Sequence, residues 1–359
     1  MNDSATSRLP MKKSGFDIEQ GDQCSQNAYS WSKKTFKNRD KKAGALCTTL
    51  DGAFSNMLDF RGVKLGVASD GIGTKIEVAE RVGVYDTLGY DLVAMVVDDL
   101  VANGFEPTNI SNIIDVDALD ADILDVMMRG LHDAANCAGI AITGGEIAEL
   151  GDRICGYGQE MHFNWCATAI GILHERLTSP LDGSAVQAGD SILALKSRGF
   201  RSNGFSLLRE TLTTQFGNQW HTITYDERTT WGEILLTPSR IYAPVVCRLL
   251  DAGRVLKGVA HITGGGIKGN LGRILRINGL GAMLDNLFEP LEVMQRVQEV
   301  GKIPAEIAYT YWNMGNGMLL IVDRTDSPAI LETIQDAGYD AQIAGEVIAD
   351  KTIEIAGIA

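Results

Sequence analysis

No stretch of the 359-residue chain approaches the roughly 18 consecutive apolar residues that a membrane-spanning helix needs, so a membrane partner is not expected. The first residues, Met1 to Lys13, are polar and lack an apolar centre. They do not read as a secretory signal, which makes a cytoplasmic location the expectation. Positive charge is scarce as well: 32 Lys and Arg stand against 46 Asp and Glu, a net charge of −14. Nucleic-acid binders need clustered cations for phosphate contacts, so no nucleic-acid partner is expected. An anionic small molecule stays compatible, given a local basic site inside the acidic shell. The six cysteines form no C-x-x-C pair and no ligand-like spacing with the five histidines, which argues against structural zinc. Reduced thiols are the simpler reading.

What is present is an ordinary globular composition, 45% apolar and 22% charged, over a length that exceeds one hydrophobic core. Two domains follow. Residues 1–60 read as a mobile lead-in. Beyond them, strands are expected at Val63–Ser69, Ile110–Val116, Ile140–Thr143, Trp165–Leu173, Gly317–Val322 and Ala341–Ile348, with another starting at Ser191. Helical spacing marks Thr87–Asn103, Ala121–Ala138, Ser202–Phe216 and Pro238–Leu250. Turn formers from Thr178 to Gly189 place the boundary, giving domains 1–182 and 183–359. The fold class is mixed α+β and α/β in two domains.

Several short motifs could carry chemistry. Asp70, Gly71, Ile72, Gly73, Thr74 and Lys75 follow a strand. The glycines let backbone approach a phosphate, Asp70 could hold magnesium and Lys75 could neutralise charge; ordinary capping is the plain alternative. Asp91 and Asp98 are seven residues apart, about 20° in azimuth on a helix, with Asp99 about 100° further round. Carboxylates in so apolar a stretch are costly to bury, and a magnesium ion would account for them; a solvated helix edge is the alternative. Gly104 and Pro107 end that helix, and Glu146 after Gly144 and Gly145 could complete a metal shell. Ser202, Asn203 and Gly204 open a helix whose N-terminus would attract an anion, with the Arg201 fork beside it; an ordinary Ser cap is the alternative. His261 precedes Thr263, Gly264, Gly265 and Gly266, a close backbone approach with a candidate acid–base group, or else a satisfied structural histidine. Asn313, Gly315 and Gly317 read as a tight turn.

Together, and in order, these blocks resemble the aminoimidazole ribonucleotide synthetase family. The matching blocks are Gly15–Gly21, Asp70–Lys75, Gly89–Met95, Asp99–Pro107, Gly144–Glu149, Ser202–Arg209, Leu236–Tyr242, His261–Gly266 and Asn313–Gly317. The resemblance covers nearly the whole chain. It implies a two-domain ATP-binding fold, a homodimer pairing its N-terminal sheets, and ATP with Mg2+ as cofactors. The implied reaction closes the ring of formylglycinamidine ribonucleotide after ATP phosphorylates the formyl amide oxygen. Carried over by position, Asp17, Asp70, Gly71, Gly73, Thr74, Lys75, Asp91, Asp99 and Gly104 would bind the nucleotide. Asp70, Asp91, Asp98, Asp99 and Glu146 would hold the metal. Ser202, Asn203, Gly204, Thr263, Gly264 and Gly265 would line the ribonucleotide site, with His261, Lys75 and Arg201 at the chemistry. The chain departs from the family pattern at Arg201 for His, Asp98 for Asn, Phe105 for Ala and Ile147 for Thr, and in a thin Gly-rich stretch before the first strand that survives only as Gly52 to Phe54. Arg201 would lose any proton-transfer role, and Phe105 would reshape the nucleotide pocket. A relative phosphorylating another small substrate, or a nucleotide-binding protein without catalysis, are the alternatives.

Overall fold

The computed structural model describes residues 18–47 and 52–358. Its first described elements are α1 (Ile18–Phe36), β1 (Ala45–Leu46), β2 (Asn56–Phe60) and β3 (Val63–Gly71), followed by α2 (Ile76–Val82) and α3 (Leu88–Ala102). Then come β4 (Phe105–Val116), α4 (Ala121–Ala138), β5 (Ala141–Glu149) and β6 (Phe163–Leu173). These strands form one sheet in the order β1-β2-β3-β6-β4-β5. Only the β4–β5 pair is parallel, because α4 carries the chain back over the sheet between them. Asp120 caps α4 by accepting from the N–H groups of Asp122 and Ile123, both at 3.0 Å.

The second half runs β7 (Ser191–Lys196), α5 (Phe205–Phe216), α6 (Trp231–Leu235), α7 (Ala243–Asp251), β8 (Gly258–His261) and α8 (Gly266–Leu275). It ends with β9 (Gly281–Leu284), α9 (Glu292–Gly301), α10 (Ala305–Tyr311), β10 (Asn316–Val322), α11 (Ser327–Asp336), β11 (Ala341–Ile348) and β12 (Ile353–Ile355). The sheet order is β12-β9-β11-β7-β10-β8. β7 and β10 are neighbouring interior strands and read as continuous apolar runs because both of their faces are buried.

α3 is the element that ties the halves together. It packs on β3, β4, β6 and α4 on one side and on α7 and β8 on the other. A helix covered on both sides must be apolar nearly all round, which explains Leu88, Leu92, Val93, Val96, Val97 and Leu100, all fully buried. Each such side chain contributes roughly 1.5–3 kcal/mol of burial.

Four expectations about local structure change. The supposed lead-in contains α1 and contributes β1 and β2 to the first sheet. The strand expected to stop at Thr143 runs through Gly144 and Gly145 to Glu149, where a Cβ on Gly145 would stand 2.8 Å from the Asn112 carbonyl oxygen of β4. α5 starts at Phe205, and its cap is Gly204 at φ 76° rather than Ser202. α7 starts at Ala243, with a proline in its first turn, and not at Pro238. Segment 237–242 stays uncoiled because its polar groups are spent on Lys75, Asp91 and Asp98.

Candidate functional site

α3 presents its acids in two directions. Asp91 is fully buried against the Lys75 ammonium, 2.7 Å away, and accepts from the Ser239 hydroxyl and from the Ser239 N–H at 3.2 Å. Lys75 Nζ also donates to the Thr237 carbonyl at 2.9 Å. Burial pushes the Lys75 pKa down and that of Asp91 up, and each partner offsets part of the other's penalty. Two turns on, Asp98 accepts from Arg201 Nη2 at 2.7 Å and from the N–H groups of Tyr242 and Ala243 at 2.8 and 2.9 Å. The expected shared azimuth of Asp91 and Asp98 is real, but the face docks the second half of the chain. Their oxygens are already committed.

Asp99, rotated by one residue, faces another way. Its Oδ1 lies 2.7 Å from His261 Nδ1. Burial raises its pKa to about 7, against the pull of Arg273 and Arg201. His261 is fully buried, and burial together with Arg201 lowers it to about 3. The imidazole is therefore neutral, and the contact is a hydrogen bond rather than an ion pair. Nε2 of His261 is buried without a partner. The second accessible carboxylate, Asp70 at the end of β3, accepts from the Gly71 N–H at 2.7 Å. Crowding by protein, and then the Asp99 charge, raise it to about 6 despite its solvent access. Burial, more than repulsion between them, lifts both carboxyls, and a bound cation would favour their charged forms.

A cavity of about 600 Å³ is linked to them through Arg273, which lines it and whose charge acts on Asp99; neither Asp70 nor Asp99 is itself part of the lining. Gly73 and Thr74 enter its wall from the turn after β3, Ser202, Asn203 and Gly204 from the turn before α5, and Gly264 and Gly265 from the turn before α8. Three separate sequence motifs thus converge. The Thr74 and Ser206 hydroxyls, 3.1 Å apart, bind the first turn to α5. Ser202 Oγ and Asn203 Oδ1 are buried without partners, as expected of groups that meet a ligand. Gly204 could not be otherwise: a Cβ there would stand 2.4 Å from the Trp312 ring.

The remaining assignments divide. Lys75 and Arg201, expected at phosphate, are ion-paired between the halves of the chain and neither lines the cavity. Thr263 lies behind the wall, with its carbonyl accepting from Asn270 Nδ2 at 3.3 Å. Gly71 pairs with Cys166 inside the sheet. Gly104, at φ 81°, terminates α3 against Leu177 and Leu181 and takes no part in the cavity. Phe105 is fully buried over Gly66, where a Cβ would lie 2.5 Å from its ring. It fills core rather than a nucleotide pocket. Ile147 is exposed on the edge strand β5, in a groove with Met128 and Ile142. Asp17 falls outside the described residues.

Glu146 is separated from Asp70. The register runs Asp70–Ala167–Asn112–Gly145 across the sheet, three strand spacings or about 14 Å. Glu146 pairs with Ile113, which is 50% exposed, so it faces the opposite side of the sheet from Ala167. Among the described residues no group of three or more His, Cys, Asp or Glu could hold a metal ion. The five-carboxylate shell read from the sequence is not assembled in this chain: Asp91 and Asp98 are ion-paired, Glu146 is exposed on the other face, and Asp70 and Asp99 are the two whose charges act on one another. That pair suits magnesium, which takes one or two carboxylates and completes its octahedron with water and substrate phosphate.

Arg273 was not anticipated. It lines the cavity from α8 and its charge acts on Asp99. The available signal was its spacing, four residues after Gly269, which puts both on one helix face. Ser25 of α1 also reaches the wall.

No described helix is long and apolar enough to cross a membrane. Residues 52–173 match the family model described as AIR synthase related protein, N-terminal domain, and residues 187–357 match its C-terminal counterpart. The phosphoribosylformylglycinamidine cyclo-ligase of Thermococcus kodakarensis is 32% identical over 347 residues, spanning 97% of this chain and 98% of its own. That of Sorangium cellulosum is 38% identical over 283 residues, 78% of this chain and 79% of its own. Among solved structures, thiamine-monophosphate kinase from Stenotrophomonas maltophilia shares the fold, with a TM-score of 0.62 at 16% identity over 91% of this chain and 96% of that one. So does a ThiL protein complexed with AMPPCP and TMP, with a TM-score of 0.59 at 14% identity over 86% and 88%. The chain belongs to the phosphoribosylformylglycinamidine cyclo-ligase family, assembled from the two AIR synthase domains.

Proposed function

We propose that this protein closes the imidazole ring of a purine precursor, converting formylglycinamidine ribonucleotide to aminoimidazole ribonucleotide at the expense of ATP. The observation that carries this reading is the convergence of Gly73–Thr74, Ser202–Gly204 and Gly264–Gly265 on one cavity that Arg273, whose charge acts on Asp99, also lines. End-to-end identity with cyclo-ligases supports it, and so does the nucleotide analogue named with the ThiL relative.

An amide oxygen is a poor leaving group. Transfer of the ATP γ-phosphoryl group to the formyl oxygen makes it a good one; the amidine nitrogen then attacks the formyl carbon and phosphate departs. What the chain contributes is placement and charge. Ser202 and Asn203 hold the ribonucleotide through their unpartnered oxygens, and Arg273 supplies the cation. Asp70 and Asp99 would hold magnesium, which offsets phosphate charge when bound. His261 fixes the Asp99 carboxylate through Nδ1; it acts as a positioning residue, since its neutral ring sits behind the wall.

The protein works in the cytoplasm as a homodimer. Ile113, Ile170 and Ile172 stand exposed on one face of the first sheet, an apolar surface suited to a second copy. The reaction is tested by ADP release with and without formylglycinamidine ribonucleotide. Release that depends on it is the expected result. Turnover stimulated instead by another phosphoryl acceptor, or nucleotide binding with no turnover, would replace this reading.

A further inference from the structure

Asp98 and Arg201 come from opposite halves of the chain and are each other's partner. Their ion pair, 2.7 Å long, bridges α3 and the turn before α5, and neither side chain is more than 2% exposed. The second carboxylate oxygen of Asp98 takes two N–H groups from the start of α7. The guanidinium lies over the Tyr242 ring at 5.1 Å, and Nη1 faces the Gly317 carbonyl at 3.4 Å. That same carbonyl accepts from the N–H of Ile262, next to His261. Arg201 has a left-handed backbone, φ 62°, immediately before Ser202 and Asn203. A bulky residue keeps that conformation only where surrounding contacts over-determine it, and here the anchor is Asp98.

We infer that Asp98 and Arg201 act as one positioning unit, whose ion pair fixes the turn that offers Ser202 and Asn203 to the cavity. Removing one member of a buried pair strands a charge, whereas exchanging both need not. An Asn at position 98 keeps an oxygen for the α7 amides and turns an N–H toward an imidazole at position 201. The substrate part of this inference rests on the function proposed above.

The test compares the full chain with Asp98→Asn, Arg201→His and the double variant, reading KM for formylglycinamidine ribonucleotide, kcat and the urea midpoint. Asp98→Asn leaves the Arg201 cation without its counter-charge, so KM rises tenfold or more, kcat changes less and the midpoint falls. Arg201→His alone falls between this variant and the parent, because a buried imidazole can take up a proton against Asp98. Both substitutions together bring KM within threefold of the parent and recover most of the midpoint. A single variant that fails to fold while the double folds gives the same answer. A double variant no better than Asp98→Asn, or one that does not fold, overturns the inference. So does a folded Asp98→Asn protein with parental KM and midpoint. If the parent shows no turnover on this substrate, the function fails on its own, and the midpoints still decide the coupling.

Discussion

Asp98 and Asp99 are consecutive on one helix, yet they belong to different regions with opposite physical logic. Asp98, with Asp91 two turns earlier, faces the second half of the chain and meets a cation and backbone amides in a dry interface. Every oxygen there is committed, and the acids serve cohesion. Asp99 faces another side of α3, where its charge and that of Asp70 on β3 act on one another, and burial drives both carboxyls toward neutrality against the pull of Arg273 on Asp99. One residue, about 100° of helical turn, separates a structural clamp from a binding site. A carboxylate in an apolar helix signals a partner. Whether that partner is a built-in cation or a ligand depends on what packs against its azimuth.

The sharpest way to break this comparison is to remove a built-in cation. Lys75→Met strands the Asp91 carboxylate and should lower unfolding free energy by about 3–5 kcal/mol. Adding Asp91→Leu should recover most of that loss. Urea unfolding measures both, and a single variant as stable as the parent would erase the distinction. A smaller effect tests the open side. In the ligand-free protein Asp99 titrates near 7, well above an ordinary carboxyl. Its protonated form favours the folded state, so the contribution is complete below about pH 4 and is lost as pH rises toward 7. Asp99→Asn should therefore gain stability relative to the parent across that window, by roughly 1–3 kcal/mol at the upper end. A difference that stays flat with pH would count against the assignment. Smallest of all, Glu146→Gln on the uncovered face should change unfolding by less than about 0.5 kcal/mol. In sedimentation it should shift self-association, if anything, and not stability.

Much of this was legible in the sequence. The boundaries of α3 and α4 followed from apolar spacing, and the blocks that line the cavity were visible as Gly-rich turns after strands. What spacing could not supply was direction. The 3.6-residue period put Asp91 and Asp98 on one face, but their partners, Lys75, Arg201, Ser239 and Tyr242, come from distant segments. Pro238 suggested a first helical turn, while the tertiary demand for its neighbours' polar groups kept the segment open. Ser202 looked like a cap, yet the tight approach to Trp312 admits only Gly204 at that place. Phe105 and Gly66 lie far apart in sequence, so the fit that makes a large ring acceptable at position 105 was invisible. Glu146 was misplaced because strand register decides which side of a sheet a residue faces, and one position reverses it.

The most direct measurement is calorimetric titration of magnesium–ATP into folded Asp91→Asn and Asp99→Asn proteins, each paired with its melting curve. Asp99→Asn should lose nucleotide affinity by tenfold or more while melting no lower than the parent; Asp91→Asn should melt lower and bind nucleotide as the parent does. The reverse pattern, with affinity lost at Asp91 and stability lost at Asp99, would contradict the division of α3 into a clamping face and a binding face.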